Sequence, residues 1–295
     1  MSISFLNTIG FQEEFQQSIQ RCAASTRCGE LMRHSAFAGM LSTETAREAV
    51  QKLHEEIGED PDGILMLTLQ LLALEKKREI PGSMWHTLAQ SDGVAEGARM
   101  DSEDSCISGQ RVFEDTMGCF PRFVSEYRHS YGHDGFDRWA WTIRQINGTL
   151  VRLGALEFEF SPWDHRVYIH IPGGADLSAD SIADSLRQEI RFAEAYEPDF
   201  AGKDLHCESW LLSPVLRQFL PAGSRILAFQ NLFDITETNP EDNAYLEWAF
   251  GLAPGQIEHA VLSVLPESTS LQRGLKRYVL QGGRVGSGAG ILRRV

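Results

Sequence analysis

The chain has no CxxC pair, no Gly-Lys-Ser/Thr phosphate loop, no apolar run long enough to span a bilayer and no Gly/Ser- or Pro-rich linker. Each absence excludes something. Five cysteines, Cys22, Cys28, Cys106, Cys119 and Cys207, are scattered and odd in number. That argues against a disulfide framework and suits reduced thiols in a cytoplasmic protein. The most apolar stretch, ILMLTLQLLALEKK, is too short for a transmembrane helix, and MSISFLNTIGFQEEF lacks the basic start and long apolar core of a signal peptide. Positive charge is scarce: 27 Lys and Arg against 41 Asp and Glu leave a net charge of −14. Such a surface repels nucleic acid and anionic membrane, so neither is expected as a partner. A basic C-terminal region, Arg273, Lys276, Arg277, Arg284, Arg293 and Arg294, is the exception; it reads as solvated surface or as an anion-binding edge.

Glycine is dense in one place, GGRVGSGAG at 282–290. Gly286 and Gly288 fit the first two positions of a dinucleotide fingerprint, but Ile291 replaces the third, and too little chain follows to build the helix that would hold a phosphate. The stretch is expected to be a glycine-bent final strand.

What is there is an ordinary globular composition, 42% hydrophobic and 23% charged, long enough for two modest domains. Up to about residue 148 the pattern is helical. TETAREAVQKLHEEIG has apolar periodicity and a glycine stop. DGILMLTLQLLALEKKRE is apolar nearly all round, as a central helix would be. EDTMGCFPRFVSEYRHSYG carries Pro121 as a start or kink, and FDRWAWTIRQING ends near Gly148. From 149 strands alternate with helices: LVRLGALEFEF, RVYIHI, the long amphipathic helix SADSIADSLRQEIRFAEAY with Ser178 as cap, KDLHCESWLL, the short helix SPVLRQFL, SRILAFQNLFDI, and then helices near 241–250 and 269–281 before the last strand. The expected class is α+β: a helical domain over 1–148 and a mixed α/β domain over 149–295, with a cleft between them. Oligomeric state is not legible.

Three constellations could carry chemistry. If Pro162 to His165 form a four-residue hairpin loop, Ser161 pairs with Arg166, Glu159 with Tyr168 and Glu157 with His170. A carboxylate and an imidazole then share one sheet face, which suits proton transfer, although a solvated polar face reads the same way. In YIHIPGGADLSADS a strand, a Pro172-Gly173-Gly174 turn and a helix near Ser178 present backbone N–H groups to an anion. Asp176 and Asp180 count against it, and such a sequence is commonly only a turn. HCESWLLSP offers Glu208 and Ser209; Cys207 and His206, neighbours on a strand, point to opposite faces and make a poor dyad. His129 and His133 have metal spacing, but Gly132 breaks the helix between them, so a helix end is expected and no metal.

Taken together, FEDTMGCFPRFVSEYRHSYGHDGFDRWAWTIRQINGTLVRLGALEFEF, VYIHIPGGADLSADSIADSLRQE, CESWLLSPVLRQFLP and SRILAFQNLFDI resemble bacterial acyltransferase-domain proteins with a helical N-terminal half and a GNAT-like C-terminal half. The resemblance implies acyl-CoA as donor, a small-molecule or peptide amine as acceptor, and direct attack. It implies that Ile171, Gly173, Gly174 and Ser178 hold the CoA end, and that KDLHCESWLL splays from VYIHI to make the pantetheine slot. The Arg/Gln-x-x-Gly-x-Gly/Ala phosphate loop of GNAT proteins is missing here, and Glu208 stands where members often carry histidine. On this reading His170 or Glu157 is the base and Ser209 or Tyr168 the acid. Trp141, Arg144, Gln145 and Glu208 line the acceptor side. The competing expectations are a non-catalytic GNAT-like ligand-binding or regulatory module, and hydrolysis through Cys207.

Overall fold

Where a helix can be satisfied only by burying all its sides, its neighbours must supply polar partners as well as apolar ones. The helix Ile64–Lys77 shows this: Met66 to Leu74 are buried throughout. It starts after Gly63, at φ +67°, where the Asp60 carboxylate accepts from the N–H groups of Leu65 and Met66 at 3.3 and 3.0 Å. Buried Gln70 donates to the Trp139 carbonyl and accepts from Thr142 Oγ1, both at 2.7 Å, tying this helix to Trp139–Asn147. The latter ends at Gly148, φ +74°, where a Cβ would lie 2.5 Å from the Met84 side chain. Pro121 falls in the first turn of Cys119–Tyr131, where its missing N–H costs nothing, and Gly118 separates that helix from Gly109–Met117. Gly132, at φ +82°, stops Cys119–Tyr131.

The computed structural model describes residues 1–95 and 107–292; Cys106, Arg293 and Arg294 lie outside the described residues. The chain divides into two compact units, Met1–Arg152 and Leu153–Val295. Among the described residues, no helix is long and apolar enough to cross a membrane.

The strands are β1 (Leu150–Leu153), β2 (Leu156–Ser161), β3 (Arg166–His170), β4 (Leu205–Ser209), β5 (Asp234–Asn239) and β6 (Ser287–Leu292). They form one mixed sheet in the order β1-β2-β3-β4-β6-β5. The last strand in sequence is thus an inner strand, antiparallel to both neighbours. Its glycines are what permit that position: a Cβ on Gly288 would lie 2.5 Å from the Leu212 carbonyl oxygen. The helix Ala179–Tyr196 is capped by Ser178, whose Oγ accepts from the Ser181 N–H at 3.4 Å. It packs on the apolar side of β2, with Phe160 and Phe192 rings 5.6 Å apart. A second cluster, including Leu216 and Leu275, both fully buried, is built by the C-terminal helices.

Three sequence expectations are corrected. LVRLGALEFEF is two strands, because Gly154 turns at φ +67°, where a Cβ would lie 2.7 Å from Ser185 Oγ, which accepts from the Ala155 N–H at 2.8 Å. SRILAFQNLFDI is a helix, Arg225–Gln230, followed by the start of β5; its apolar run is too short for periodicity to separate the two states. KDLHCESWLL stops being a strand at Ser209, whose hydroxyl accepts from the Leu211 N–H at 3.1 Å and caps a 3-10 turn. Within the basic C-terminal region, Lys276 pairs with Glu267 at 2.7 Å and Arg284 pairs with Glu241, while Arg273 donates to the Glu267 carbonyl at 2.9 Å.

Candidate functional site on the polar sheet face

The hairpin β2–β3 has the register that a four-residue loop dictates: Glu157 opposite His170, Glu159 opposite Tyr168, Ser161 opposite Arg166. The loop closes through His165, at φ +55°, whose N–H donates to the Ser161 carbonyl at 3.1 Å. Alternation sends Phe158, Phe160, Val167 and Ile169 into the core and gathers Glu157, Glu159, Tyr168 and His170 on the other face. Both glutamates are buried, at 3% and 6% exposure. The imidazole bonds to the carboxylate one rung along from its direct neighbour: His170 Nε2 lies 3.0 Å from Glu159 Oε2.

β3 and β4 run parallel, but their ladder holds only Val167–Leu205 and Tyr168–His206. β3 continues to His170 and β4 to Ser209 beyond the last pair. The strands therefore part, and His170 sits on the diverging end of β3. Parallel pairing also puts His206 on the polar face, its ring 5.8 Å from that of Tyr168. Burial lowers the His206 pKa, and Arg166 lowers it further.

Past the divergence the chain turns, the Ala175 N–H donating to the Pro172 carbonyl at 3.1 Å. Gly174 takes φ +75°, with open space where a Cβ would be, so backbone conformation and not crowding demands glycine there. Gly173 and Gly174 are exposed and Ile171 is half-buried. Ser178 is not an open donor site, however. Its N–H and Oγ donate to the Asp176 carboxylate at 3.0 and 2.9 Å, and Arg225 Nη1 donates to the same carboxylate at 3.0 Å. These Ser178 hydrogen bonds, with Arg225 beside them, hold the Asp176 carboxyl below the usual carboxylate range.

The remaining sequence candidates fall in different settings. The Tyr168 hydroxyl donates to Asp164 in the hairpin loop; burial and that bond raise its pKa, which makes it a reluctant acid. Glu208 is exposed on β4. Cys207 is buried, its thiol pushed up to about 12 by burial with the Glu208 carboxylate adding to the shift, so it is no nucleophile at neutral pH. In the first unit, Arg144 stacks on the Trp141 ring at 4.4 Å. Buried Gln145, with its amide oriented to satisfy both groups, accepts from Trp141 Nε1 at 3.2 Å and donates to its carbonyl at 3.1 Å. His129 and His133 flank the Gly132 stop, and among the described residues no group of three His, Cys, Asp or Glu side chains could hold a metal ion.

Sequence reasoning passed over two residues of this face. Glu159 alternates with Glu157 and was visible as a face-mate, but a diagonal hydrogen bond is not written in the register. His206 was weighed only against Cys207, because the parallel β3–β4 pairing is a long-range fact.

Residues 150–292 match the GNAT-like C-terminal domain family. Residues 109–148 match the N-acyltransferase N-terminal domain family. Among solved structures, the chain is similar to an acyltransferase in complex with decanoyl-CoA, at 18% identity and TM-score 0.71, over 99% of this chain and 87% of that one. It is also similar to an acyltransferase in complex with decanoyl-CoA and teicoplanin, at 21% identity and TM-score 0.63, over 95% and 88%. A third, in complex with CoA and 10C-teicoplanin, has 19% identity and TM-score 0.58 over 98% of both chains. No curated protein matches the chain.

Proposed function

We propose that the protein is an acyl-CoA-dependent N-acyltransferase working by direct attack, a reading supported by the match of residues 150–292 to the GNAT-like C-terminal domain family and of residues 109–148 to the N-acyltransferase N-terminal domain family. The observation that carries the reading is the parting of β3 from β4 after Tyr168–His206, with His170 at the edge of the gap. Strands that part leave backbone groups without ladder partners, and an extended amide-bearing arm such as pantetheine can take them up.

In the reaction the amine nitrogen bonds to the thioester carbonyl carbon, its proton passes to a base, the C–S bond breaks, and the sulfur leaves and is protonated. His170 is the base, or Glu157 through a water. The Ile171 N–H polarises the thioester carbonyl. The exposed turn at Gly173 and Gly174 receives the diphosphate end, and Ser178, whose N–H and Oγ are taken by Asp176, caps the helix behind it. Ser209 suits the acid role better than Tyr168: its oxygen already accepts from the Leu211 N–H, which leaves its proton to give, whereas the Tyr168 proton goes to Asp164. Glu208, exposed on β4, serves the acceptor. The two domains of the reading are 1–148 and 149–295, and the scattered, unpaired spacing of the cysteines supports a cytoplasmic setting.

Decanoyl-CoA is the first donor to try, because it is held by solved acyltransferases of this fold. The test is thiol release from decanoyl-CoA with a panel of amines that includes teicoplanin, with the amide product identified by mass. A second reading, a GNAT-like binding or regulatory module without catalysis, is favoured by one observation: Asp176 occupies the donors of Ser178. Thermal stabilisation by CoA thioesters together with thiol release supports transfer. Indifference to every CoA species supports the binding module.

A further inference from the structure

We infer that Arg225 is the cationic clamp for the diphosphate of the acyl-CoA donor, and that it takes hold of the diphosphate by letting go of Asp176. The identity of the ligand rests on the acyl-transfer reading; the identity of the clamp rests on geometry.

The need for a clamp is electrostatic. A CoA thioester is a polyanion, and the chain that holds it has a net charge of −14. The segment that meets the diphosphate carries two carboxylates, Asp176 and Asp180, and the basic side chain of a GNAT phosphate loop is missing from it. Backbone N–H groups alone would have to outweigh both carboxylates. A cation has to come from elsewhere in the fold.

Arg225 comes from the far side of the gap. It is the first residue of the helix Arg225–Gln230. At the other end of that helix, buried Gln230 donates to the carbonyls of Leu211 and Ser213 at 2.8 and 2.9 Å. Leu211 and Ser213 follow directly on β4, so the helix is fastened to the β4 side. Arg225 Nη1 nevertheless lies 3.0 Å from Asp176 Oδ1, which belongs to the loop after β3. The ion pair therefore joins the two arms beyond the point where β3 and β4 part, beside the exposed Gly173 and Gly174.

The pair is suited to exchange. The Arg225 and Asp176 side chains are 70% and 52% exposed, and an ion pair in that setting contributes little to stability. It occupies one guanidinium N–H, and among the described residues no other group bonds the guanidinium. A diphosphate offers more charge and more oxygens than a carboxylate, and the guanidinium fork matches two phosphate oxygens at once. Asp176 keeps partners when Arg225 leaves, because the Ser178 N–H and Oγ donate to it at 3.0 and 2.9 Å. Held at the turn before the donor arrives, Arg225 also loses little side-chain freedom on binding.

The experiment is calorimetric titration of the full chain with CoA, dephospho-CoA and inorganic diphosphate. Arg225→Ala is expected to raise the Kd for CoA and for dephospho-CoA alike, by about ten- to thirtyfold, and Arg225→Lys to recover part of the loss. Dephospho-CoA keeps the diphosphate and lacks the 3′-phosphate, so a loss seen with CoA alone overturns the diphosphate assignment. The gain in CoA affinity from Asp176→Asn is expected to shrink in the Arg225→Ala background, where no cation is left to release; an equal gain in both backgrounds overturns the exchange. Unchanged CoA affinity in Arg225→Ala overturns the clamp and leaves the acyl-CoA reading standing. Arg225-dependent binding of inorganic diphosphate by a chain that ignores every CoA species removes the acyl-CoA reading and leaves the clamp standing as a diphosphate site. A chain that binds neither removes both. Should Arg225→Ala fail to fold, Arg225→Gln takes its place in every comparison.

Discussion

His206 and Cys207 are adjacent in the chain and have opposite fates. The imidazole lies half-buried on the polar face beside Tyr168, while the thiol is buried in hydrocarbon and pushed up to about 12. The contrast runs the length of the hairpin: Phe158, Phe160, Val167 and Ile169 alternate with Glu157, Glu159, Tyr168 and His170. One face holds the sheet to the helix Ala179–Tyr196; the other holds groups that can move protons. A strand is thus a device for keeping two incompatible jobs one residue apart, and substitutions on the two faces should separate stability from turnover.

The largest separation is expected from Phe158→Ala, which empties a fully buried site and should cost about 3–5 kcal/mol in chemical denaturation, with activity per folded molecule retained. Its counterpart across the pleat, His170→Ala, should lower turnover about a hundredfold, and at least tenfold, with the circular dichroism and melting midpoint unchanged. Near-wild-type rates would remove His170 from the mechanism. A smaller effect is expected at Glu197, which ends the helix covering the apolar face. Burial, with Asp199 adding to it, raises its carboxyl from 4.5 to about 7. The folded chain therefore keeps a proton that the unfolded chain has lost across that window, so stability falls as pH rises from 4.5 to about 7. Denaturation of Glu197→Gln should match the wild type below about pH 4 and be about 1–2 kcal/mol more stable above about pH 8, once solvent screening is allowed for. Next comes Asp176→Asn, which removes a carboxylate from the turn and should tighten CoA binding about two- to fivefold by calorimetry. Weaker binding would mean that Asp176 organises the turn rather than blocking it. The smallest effect belongs to Cys207→Ser, expected to leave kcat within about twofold, as a buried high-pKa thiol takes no part. A collapse of kcat with the fold intact would revive the thiol.

Much of this was legible from the residues. The even loop from Pro162 to His165 fixed the hairpin register and put the acid–imidazole pair on one face. Ser178 announced its helix, and Gly132 and Gly148 ended theirs, because capping and positive φ act locally. What failed was non-local or ambiguous at short range. Alternation across LVRLGALEFEF hid the turn at Gly154, which only the approach of Ser185 explains. Arg225–Gln230 is too short and too apolar for its period to be read. The contact of His170 with Glu159, and the capture of Ser178 by Asp176, are decided by side-chain reach across a loop or a rung, to which spacing is blind.

The central claim is that the donor lies where β3 leaves β4, beside His170. Backbone amide chemical-shift mapping on adding decanoyl-CoA addresses it most directly. The account predicts saturable perturbation of the amides of Ile169 to Ile171, Gly173 and Gly174 on one side and Cys207 to Leu211 on the other, with the outer strand β5 silent. Saturable binding that moves other amides and leaves these untouched would contradict it.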